Sequence, residues 1–120
     1  MKTILVADDK AAGRELVRTV LEKSGYCVVE ASDGIEAIRF ARETKPDLII
    51  LDLHMPGKDG FGVMHELRQD TQFDATPIMA LTASAMQGDR ERALSLGFTG
   101  YVTKPIRLGA LRGEVERLLR

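Results

Sequence analysis

The chain has 120 residues, one cysteine and a formal net charge of −1, from 17 basic and 18 acidic side chains. This length suits one domain with its own apolar core, and one cysteine excludes an internal disulfide framework and a cysteine-based metal cluster. The small net charge excludes a bulk attraction to nucleic acid or to an anionic membrane. The longest apolar runs have four or five residues, too few to cross a bilayer. We therefore expect a soluble cytoplasmic protein with neither membrane nor nucleic-acid partners.

Short apolar runs recur along the whole chain, at 4–7, 27–31, 48–51, 78–81 and 101–102. They are continuous and rich in Val, Ile and Leu, which is typical of parallel strands buried on both faces. Cys27 begins the second run, and we predict that it is buried as a small apolar residue. Between the runs lie stretches with helical spacing. In the first of these, the residues predicted to share a buried face are Leu16, Val17, Val20 and Leu21.

The predicted helices have recognisable ends. Gly25 and Gly97 follow the first and fourth helical stretches, where a residue with left-handed backbone commonly ends a helix. Asp33 stands three residues before Glu36, a start signal for the second helix, and Pro46 closes that helix. The pattern is a strand–helix unit repeated five times. It predicts an α/β fold in which a five-strand parallel sheet lies between two layers of helices.

Polar side chains stand at the ends of four predicted strands. The first strand ends at Asp8 and Asp9, the third at Asp52 and the fourth at Thr82, while Lys104 follows the fifth. In open α/β sheets, ligands bind beyond the carboxyl ends of the strands, where the strand order reverses. If the first and third strands flank that reversal, the three carboxylates meet in one pocket. Their mutual repulsion calls for a cation, and oxygen ligands suit Mg²⁺ or Mn²⁺.

The sequence resembles the receiver domains of two-component response regulators of the CheY type. The resemblance covers essentially the whole chain and rests on four motifs with their spacing: LVADD at 5–9, PDLIILDLHMPGKDG at 46–60, PIMALTASA at 77–85 and GYVTKPI at 100–106. The stretch ASAMQGDRERALSLGF at 83–98 is closest in texture to single-domain regulators and to receiver segments of hybrid kinases. The resemblance implies one receiver domain over residues 1–120, with no output domain in this chain. It also implies a flavodoxin-like (βα)5 three-layer sandwich with strand order 2-1-3-4-5.

The resemblance implies a role for each residue at the strand ends. Asp52 would accept a phosphoryl group from a phosphohistidine and become an aspartyl phosphate. Asp9 would bind Mg²⁺ directly and Asp8 through water or more weakly. Asp52 and the backbone carbonyl of His54 would complete the protein ligands. Lys104 would neutralise charge on the phosphoryl group during the transfer.

Three further residues would form the switch. Thr82 would bind a phosphoryl oxygen once Asp52 is modified, Tyr101 would turn inward behind it, and the peptide bond before Pro105 would be cis. The surface presented to partners would be the fourth helix, fifth strand and fifth helix. The implied partners are a sensor histidine kinase or a histidine phosphotransfer protein as donor, and a downstream protein target. A phosphorylation-dependent homodimer stays open, as does membership of a longer regulator.

The charge distribution supports a local docking role for this surface. Residues 1–83 carry 10 basic and 14 acidic side chains, whereas residues 84–120 carry 7 basic and 4 acidic ones. We therefore expect an acidic patch on the partner, and weaker binding after charge reversal of Arg112 or Arg117.

Two alternatives belong to other functional classes. A Mg²⁺-dependent phosphohydrolase of the haloacid-dehalogenase type also uses an aspartyl nucleophile, but it places a second Asp where this chain has His54. A flavodoxin-type electron carrier binds phosphate with hydroxyls and amides, whereas Asp8 and Asp9 would repel phosphate. We favour a signalling protein that is not an enzyme with a separate substrate. It would catalyse only its own phosphoryl transfer and a slow autodephosphorylation.

Overall fold

The computed structural model describes residues 1–83 and 89–120, with side chains for 1–83 and 90–120. Part of the stretch at 83–98 that supported the resemblance, residues 84–88, therefore lies outside the described residues. The described elements alternate between strand and helix, with a short 3₁₀ turn at Thr71–Phe73 before the fourth strand. They are β1 (Thr3–Ala7), α1 (Ala11–Lys23), β2 (Cys27–Ala31), α2 (Gly34–Thr44), β3 (Leu48–Asp52), α3 (Gly60–Arg68), β4 (Ile78–Thr82), α4 (Asp89–Ser95), β5 (Gly100–Thr103) and α5 (Leu108–Leu118).

The five strands form one parallel sheet in the order β2-β1-β3-β4-β5. The predicted fold class and strand order are therefore confirmed. One apolar core packs between the sheet and α2, α3 and α4, and a second packs between the sheet and α1 and α5. The strand order reverses between β1 and β3, so the carboxyl ends of these two neighbours flank the crevice where ligands of such sheets bind. Among the described residues, the helices are too short and too polar to span a membrane.

The edge of the sheet departs from the prediction of fully buried strands. Cys27 is exposed, and the next three residues of β2 are only half-buried. The reason is that β2 is an edge strand with a neighbour on one side only, a property that an apolar run does not reveal. Leu16 is also 44% exposed because it lies at the margin of the apolar stripe of α1, whose buried residues are Val17, Val20 and Leu21.

The predicted helix ends are present in the structure. Gly25 and Gly97 have φ angles of +94° and +121°, the left-handed region in which glycine is favoured. The carboxylate of Asp33 accepts a hydrogen bond from the Glu36 amide at 2.8 Å and so caps α2. The Glu36 carboxylate reaches back to the amide of Ser32, one residue before the cap. The Asp33 cap starts α2 at the carboxyl edge of the sheet, whereas Gly25 and Gly97 end α1 and α4 at the opposite edge, before β2 and β5 begin.

Candidate functional site

Three carboxylates meet at the carboxyl ends of β1 and β3. Each of Asp8, Asp9 and Asp52 offers one oxygen to a cluster in which these atoms lie within 4.8 Å of one another. Asp8 is fully buried and Asp52 is 3% exposed, whereas Asp9 is exposed. The strands place the two buried acids as neighbours, because β1 and β3 pair in register up to Ala7 and Leu51. The exposed acid leaves the cluster accessible from one side.

Lys104 bridges the two buried acids. Its Nζ donates hydrogen bonds to Asp52 Oδ2 at 2.8 Å and to Asp8 Oδ2 at 3.0 Å. Burial on its own lowers the pKa of Lys104, but the hydrogen bonds and negative charges of Asp52 and Asp8 outweigh it and raise the pKa above the ordinary value. The ammonium group therefore stays charged at neutral pH and offsets the repulsion between two buried carboxylates.

Backbone amides hold the other oxygen of each buried acid. The amide of His54 donates to Asp52 Oδ1 at 2.9 Å, and the amide of Lys10 donates to Asp8 Oδ1 at 2.9 Å. The imidazole of His54 belongs to an exposed residue. The sequence predicts a role for the carbonyl of His54 as a metal ligand, but it does not predict the hydrogen bonds from the two amides. Every residue except proline carries an amide, so only the fold shows which one points at a carboxylate.

The fourth and fifth strands bring the predicted switch residues to the same edge. Thr82 ends β4 and is 1% exposed, and its carbonyl accepts the Lys104 amide at 2.7 Å. The Lys104–Pro105 peptide bond is cis. Tyr101 is half-buried on β5 and packs against the core on the side of α2, α3 and α4. A backbone hydrogen bond therefore joins Lys104 to Thr82, beside the acidic cluster that the Lys104 side chain contacts.

A groove of about 420 Å³ runs along β5 between α4 and α5. Its lining includes Tyr101 and two basic residues, Arg90 and Arg107, but not Arg112. Arg112 is exposed but stands two residues from the groove-lining Ala110, about 200° around the helix. Arg112 therefore lies outside the lining of this groove, and its part in partner binding stays a prediction.

The backbone of β5 is tied to α5 beside this groove. Glu114 Oε2 accepts the Tyr101 amide at 3.1 Å, while its other oxygen accepts Arg117 Nε at 2.7 Å. Arg117 also donates to the Thr99 carbonyl at 3.0 Å. Arg117 is therefore a structural contact beside β5. Nothing in the sequence predicts this contact. Its charge reversal would disturb β5 as well as any partner.

Comparison with known proteins gives the family. A family model for the response regulator receiver domain matches residues 4–116, and the chain belongs to this family. It is 41% identical over 117 residues to the probable transcriptional regulator ycf27 of Guillardia theta, and the match covers 98% of this chain but 45% of that protein. The chain thus spans about half the length of that relative.

Two solved structures are similar along nearly the whole chain. The chemotaxis response regulator CheY4 of Vibrio cholerae has a TM-score of 0.93 and 33% identity, with 99% of both chains covered. The receiver domain of the sensor histidine kinase PA1611 from Pseudomonas aeruginosa PAO1 has a TM-score of 0.90 and 34% identity, covering 98% of this chain and 97% of that one. That structure has a magnesium ion coordinated in its active site cleft.

As a receiver domain, the chain is a phosphorylation-dependent signalling switch of a two-component system. The family match favours this function over the phosphohydrolase and the flavodoxin-type carrier. The fold alone could not separate the carrier from the switch, because both use the same sheet order. The residues at the strand ends and the family match make the distinction.

Proposed function

We propose that Asp52 is the phosphoryl acceptor of this receiver domain. The observation that carries the proposal is the position of its carboxylate, at the end of β3 between the Lys104 ammonium and the His54 amide. An Asp52 oxygen forms the new O–P bond while the P–N bond of a phosphohistidine breaks. The departing imidazole nitrogen keeps the electron pair of that bond and takes a proton from solvent. The proposed donor is a sensor histidine kinase or a histidine phosphotransfer protein, and the proposed location of the reaction is the cytoplasm.

The acidic cluster fits Mg²⁺, and Mn²⁺ as its substitute. The donor set is three carboxylates within 4.8 Å, one of them exposed, and hard divalent cations take carboxylate oxygens while keeping several waters. Asp8, Asp9 and Asp52 would hold the ion, with the carbonyl of His54 as a further protein ligand. When bound, the ion supplies positive charge to the oxygens of the transferring phosphoryl group.

Lys104 and Thr82 are proposed to recognise the modified state. Lys104 already donates to Asp52 Oδ2, and its ammonium can turn to an oxygen of a phosphoryl group attached there. Thr82 ends the strand next to β3, so its hydroxyl is the proposed donor to a second phosphoryl oxygen. These contacts exist only after modification, which gives the two states different interactions. Tyr101, one strand further, is proposed to report the change at the groove.

The groove beside Tyr101 is the proposed docking surface for the downstream protein. The two arginines in its lining, Arg90 and Arg107, are exposed and favour an acidic surface on the partner. A second copy of the chain in its phosphorylated state is the other proposed occupant. Measuring the molecular mass in solution with and without phosphorylation separates the two.

Intact-mass spectrometry after incubation with acetyl phosphate and Mg²⁺ tests the proposed acceptor chemistry. We expect a gain of about 80 Da, the mass of one phosphoryl group, that hydroxylamine removes. Asp52→Asn should show no gain, whereas the matched control Asp47→Asn, at a carboxylate that contacts the Thr3 amide far from the site, should behave as wild type. An equal gain in Asp52→Asn would overturn the proposal.

A further inference from the structure

An arginine on α1 connects the acidic cluster to the edge strand. Arg14 Nη1 donates to the backbone carbonyl of Asp8 at 2.8 Å, and Arg14 Nε donates to Glu30 Oε1 on β2 at 3.0 Å. The second oxygen of Glu30 accepts Arg18 Nη1 at 2.7 Å. The side chains of Arg14 and Glu30 are 18% and 23% exposed, so this contact is largely enclosed.

The carbonyl that Arg14 holds belongs to the peptide unit between Asp8 and Asp9. That unit is planar, so fixing its carbonyl also fixes the direction in which the chain enters Asp9. The side chain of Asp8 is anchored separately, by Lys10 and Lys104. Asp9 is the exposed member of the cluster, and the orientation of its backbone decides where its carboxylate points.

We propose that Arg14 is a positioning residue for the metal site. By holding the Asp8 carbonyl it sets the orientation of the Asp9 carboxylate, and Glu30 keeps the guanidinium group in the required direction. The inference rests on the proposed function in one respect, namely that these carboxylates bind Mg²⁺. It adds two residues, on α1 and β2, to a site otherwise built from strand ends.

The chemistry of the side chain fits this role. A guanidinium group presents its donors in a rigid planar fork, so one side chain can bind a carbonyl and a carboxylate at a fixed angle. Lysine carries the same charge as a single flexible point and cannot hold both acceptors in that geometry. The close approach of α1 supports the contact, since a Cβ at Gly13 would lie 3.2 Å from Asp8 Oδ2.

The loss of Arg14 should change the Mg²⁺ affinity in opposite directions, depending on whether Arg14 acts by positioning Asp9 or only by its charge. Removing a positive charge beside three carboxylates would strengthen Mg²⁺ binding if charge were the only effect. Releasing the Asp8–Asp9 peptide would weaken it, and residues that orient metal ligands typically change affinity about 10- to 100-fold. The sign of the change in Mg²⁺ affinity therefore separates the two roles.

The experiment is calorimetric titration of Mg²⁺ into the full, unphosphorylated chain. We expect the Kd of Arg14→Met, which keeps most of the apolar stem, to rise about tenfold. Arg18→Met is the matched control, because it removes the other guanidinium bound to Glu30 without touching Asp8, and its Kd should stay within about twofold of wild type. Arg14→Lys keeps the positive charge but cannot hold both acceptors, so its Mg²⁺ binding should stay weaker than that of wild type. It serves as the second probe if Arg14→Met does not fold.

Unchanged or tighter Mg²⁺ binding in Arg14→Met would overturn the inference, as would wild-type affinity in Arg14→Lys. Failure of the underlying metal site gives a different result, because Asp9→Asn would then bind Mg²⁺ as wild type does, or wild type would not bind it. Weakened binding in Asp9→Asn together with wild-type binding in Arg14→Met would leave the proposed function intact and remove only the role of Arg14.

Discussion

Gly60, the first residue of α3, lies directly against the backbone of Asp52. A Cβ placed on Gly60 would lie 2.5 Å from the Asp52 carbonyl oxygen and 2.9 Å from Leu53 Cα. These atoms are backbone and cannot rotate away, so a side chain at Gly60 would push the end of β3. The backbone of Asp52, the proposed acceptor, is therefore packed against Gly60, where only a residue without a side chain fits.

Gly60→Ala should destabilise the protein and slow its phosphorylation. Overpacking of this kind costs about 1–3 kcal/mol, and the displaced strand end would move Asp52 relative to Lys104. Urea unfolding and the rate of modification by acetyl phosphate measure the two effects.

Gly113→Ala is the matched control, because a Cβ at Gly113 on α5 would meet no described atom within 4 Å beyond its chain neighbours and the backbone of its own helix. There the gain in helix propensity should stabilise the protein by up to about 1 kcal/mol. Equal stability of Gly60→Ala and wild type would show that the contact with Asp52 is not restrictive.

Loss of the Lys104 charge should destabilise the metal-free protein. Lys104→Met leaves Asp8 and Asp52 buried beside each other without a cation, and breaking a buried ion pair costs about 3 kcal/mol or more. Mg²⁺ should restore more stability to Lys104→Met than to wild type, because it supplies the missing positive charge. Chemical unfolding with and without Mg²⁺ measures this. An equal gain in both proteins would argue against a shared site for the ion and the ammonium group.

The raised pKa of Lys104 predicts how the unfolding free energy changes at alkaline pH. A raised folded-state pKa means that the stabilisation is fully present below the ordinary value of 10.5 and is lost as the pH rises through the folded-state pKa. The difference in unfolding free energy between wild type and Lys104→Met should therefore be constant at neutral pH and shrink in strong alkali. A difference that grew with pH would contradict the ion-pair assignment.

Glu114 should contribute to stability with the opposite pH dependence. The hydrogen bond from Arg117, supported by the Tyr101 amide, holds the pKa of Glu114 below its ordinary value of 4.5. Its stabilisation is present above that value and is lost as the pH falls through the folded-state pKa. Glu114→Gln should lack this acid-dependent component of the unfolding free energy. If the unfolding free energies of Glu114→Gln and wild type depend on acidic pH in the same way, the contacts of Glu114 do not stabilise β5.

The groove along β5 should distinguish two arginines at α5, of which Arg107 is the N-cap residue and Arg112 lies within the helix. Arg107 is part of the groove lining, whereas Arg112 is exposed on the other side of α5. An acidic probe such as an oligoglutamate peptide should bind Arg107→Glu about threefold or more weakly than wild type, and Arg112→Glu about as well as wild type. Peptide titration followed by the amide NMR shifts of β5 measures both. Equal losses in the two variants would indicate attraction by overall charge and not by this groove.

The strand-end residues could be placed from the sequence because parallel strands bring their carboxyl ends to one edge of the sheet. That rule led to Asp8, Asp52, Thr82 and Lys104, and the structure brings all four together. The same reasoning failed for Cys27, because an apolar run does not say which strand is at the edge. Strand order is a property of the whole sheet.

The supporting contacts left no signal in the sequence. Arg14 and Glu30 are 16 residues apart on different elements, and charged residues on a helix or an edge strand are ordinary surface features. Gly60 is also silent, because its importance depends on a backbone that approaches from β3. The orientation of Arg112, in contrast, could have been found, because the neighbouring apolar residues Leu111 and Val115 already set the phase of α5.

The most direct test of the central claim is to locate the phosphoryl group on the chain. Borohydride reduces an aspartyl phosphate to homoserine, releasing phosphate, so peptide mass spectrometry after reduction identifies the modified position. We predict homoserine at position 52 after treatment with acetyl phosphate and Mg²⁺, and none when Mg²⁺ is removed by a chelator. Homoserine at position 8 or 9 in place of position 52, or a modification that does not require a divalent cation, would contradict the proposed mechanism.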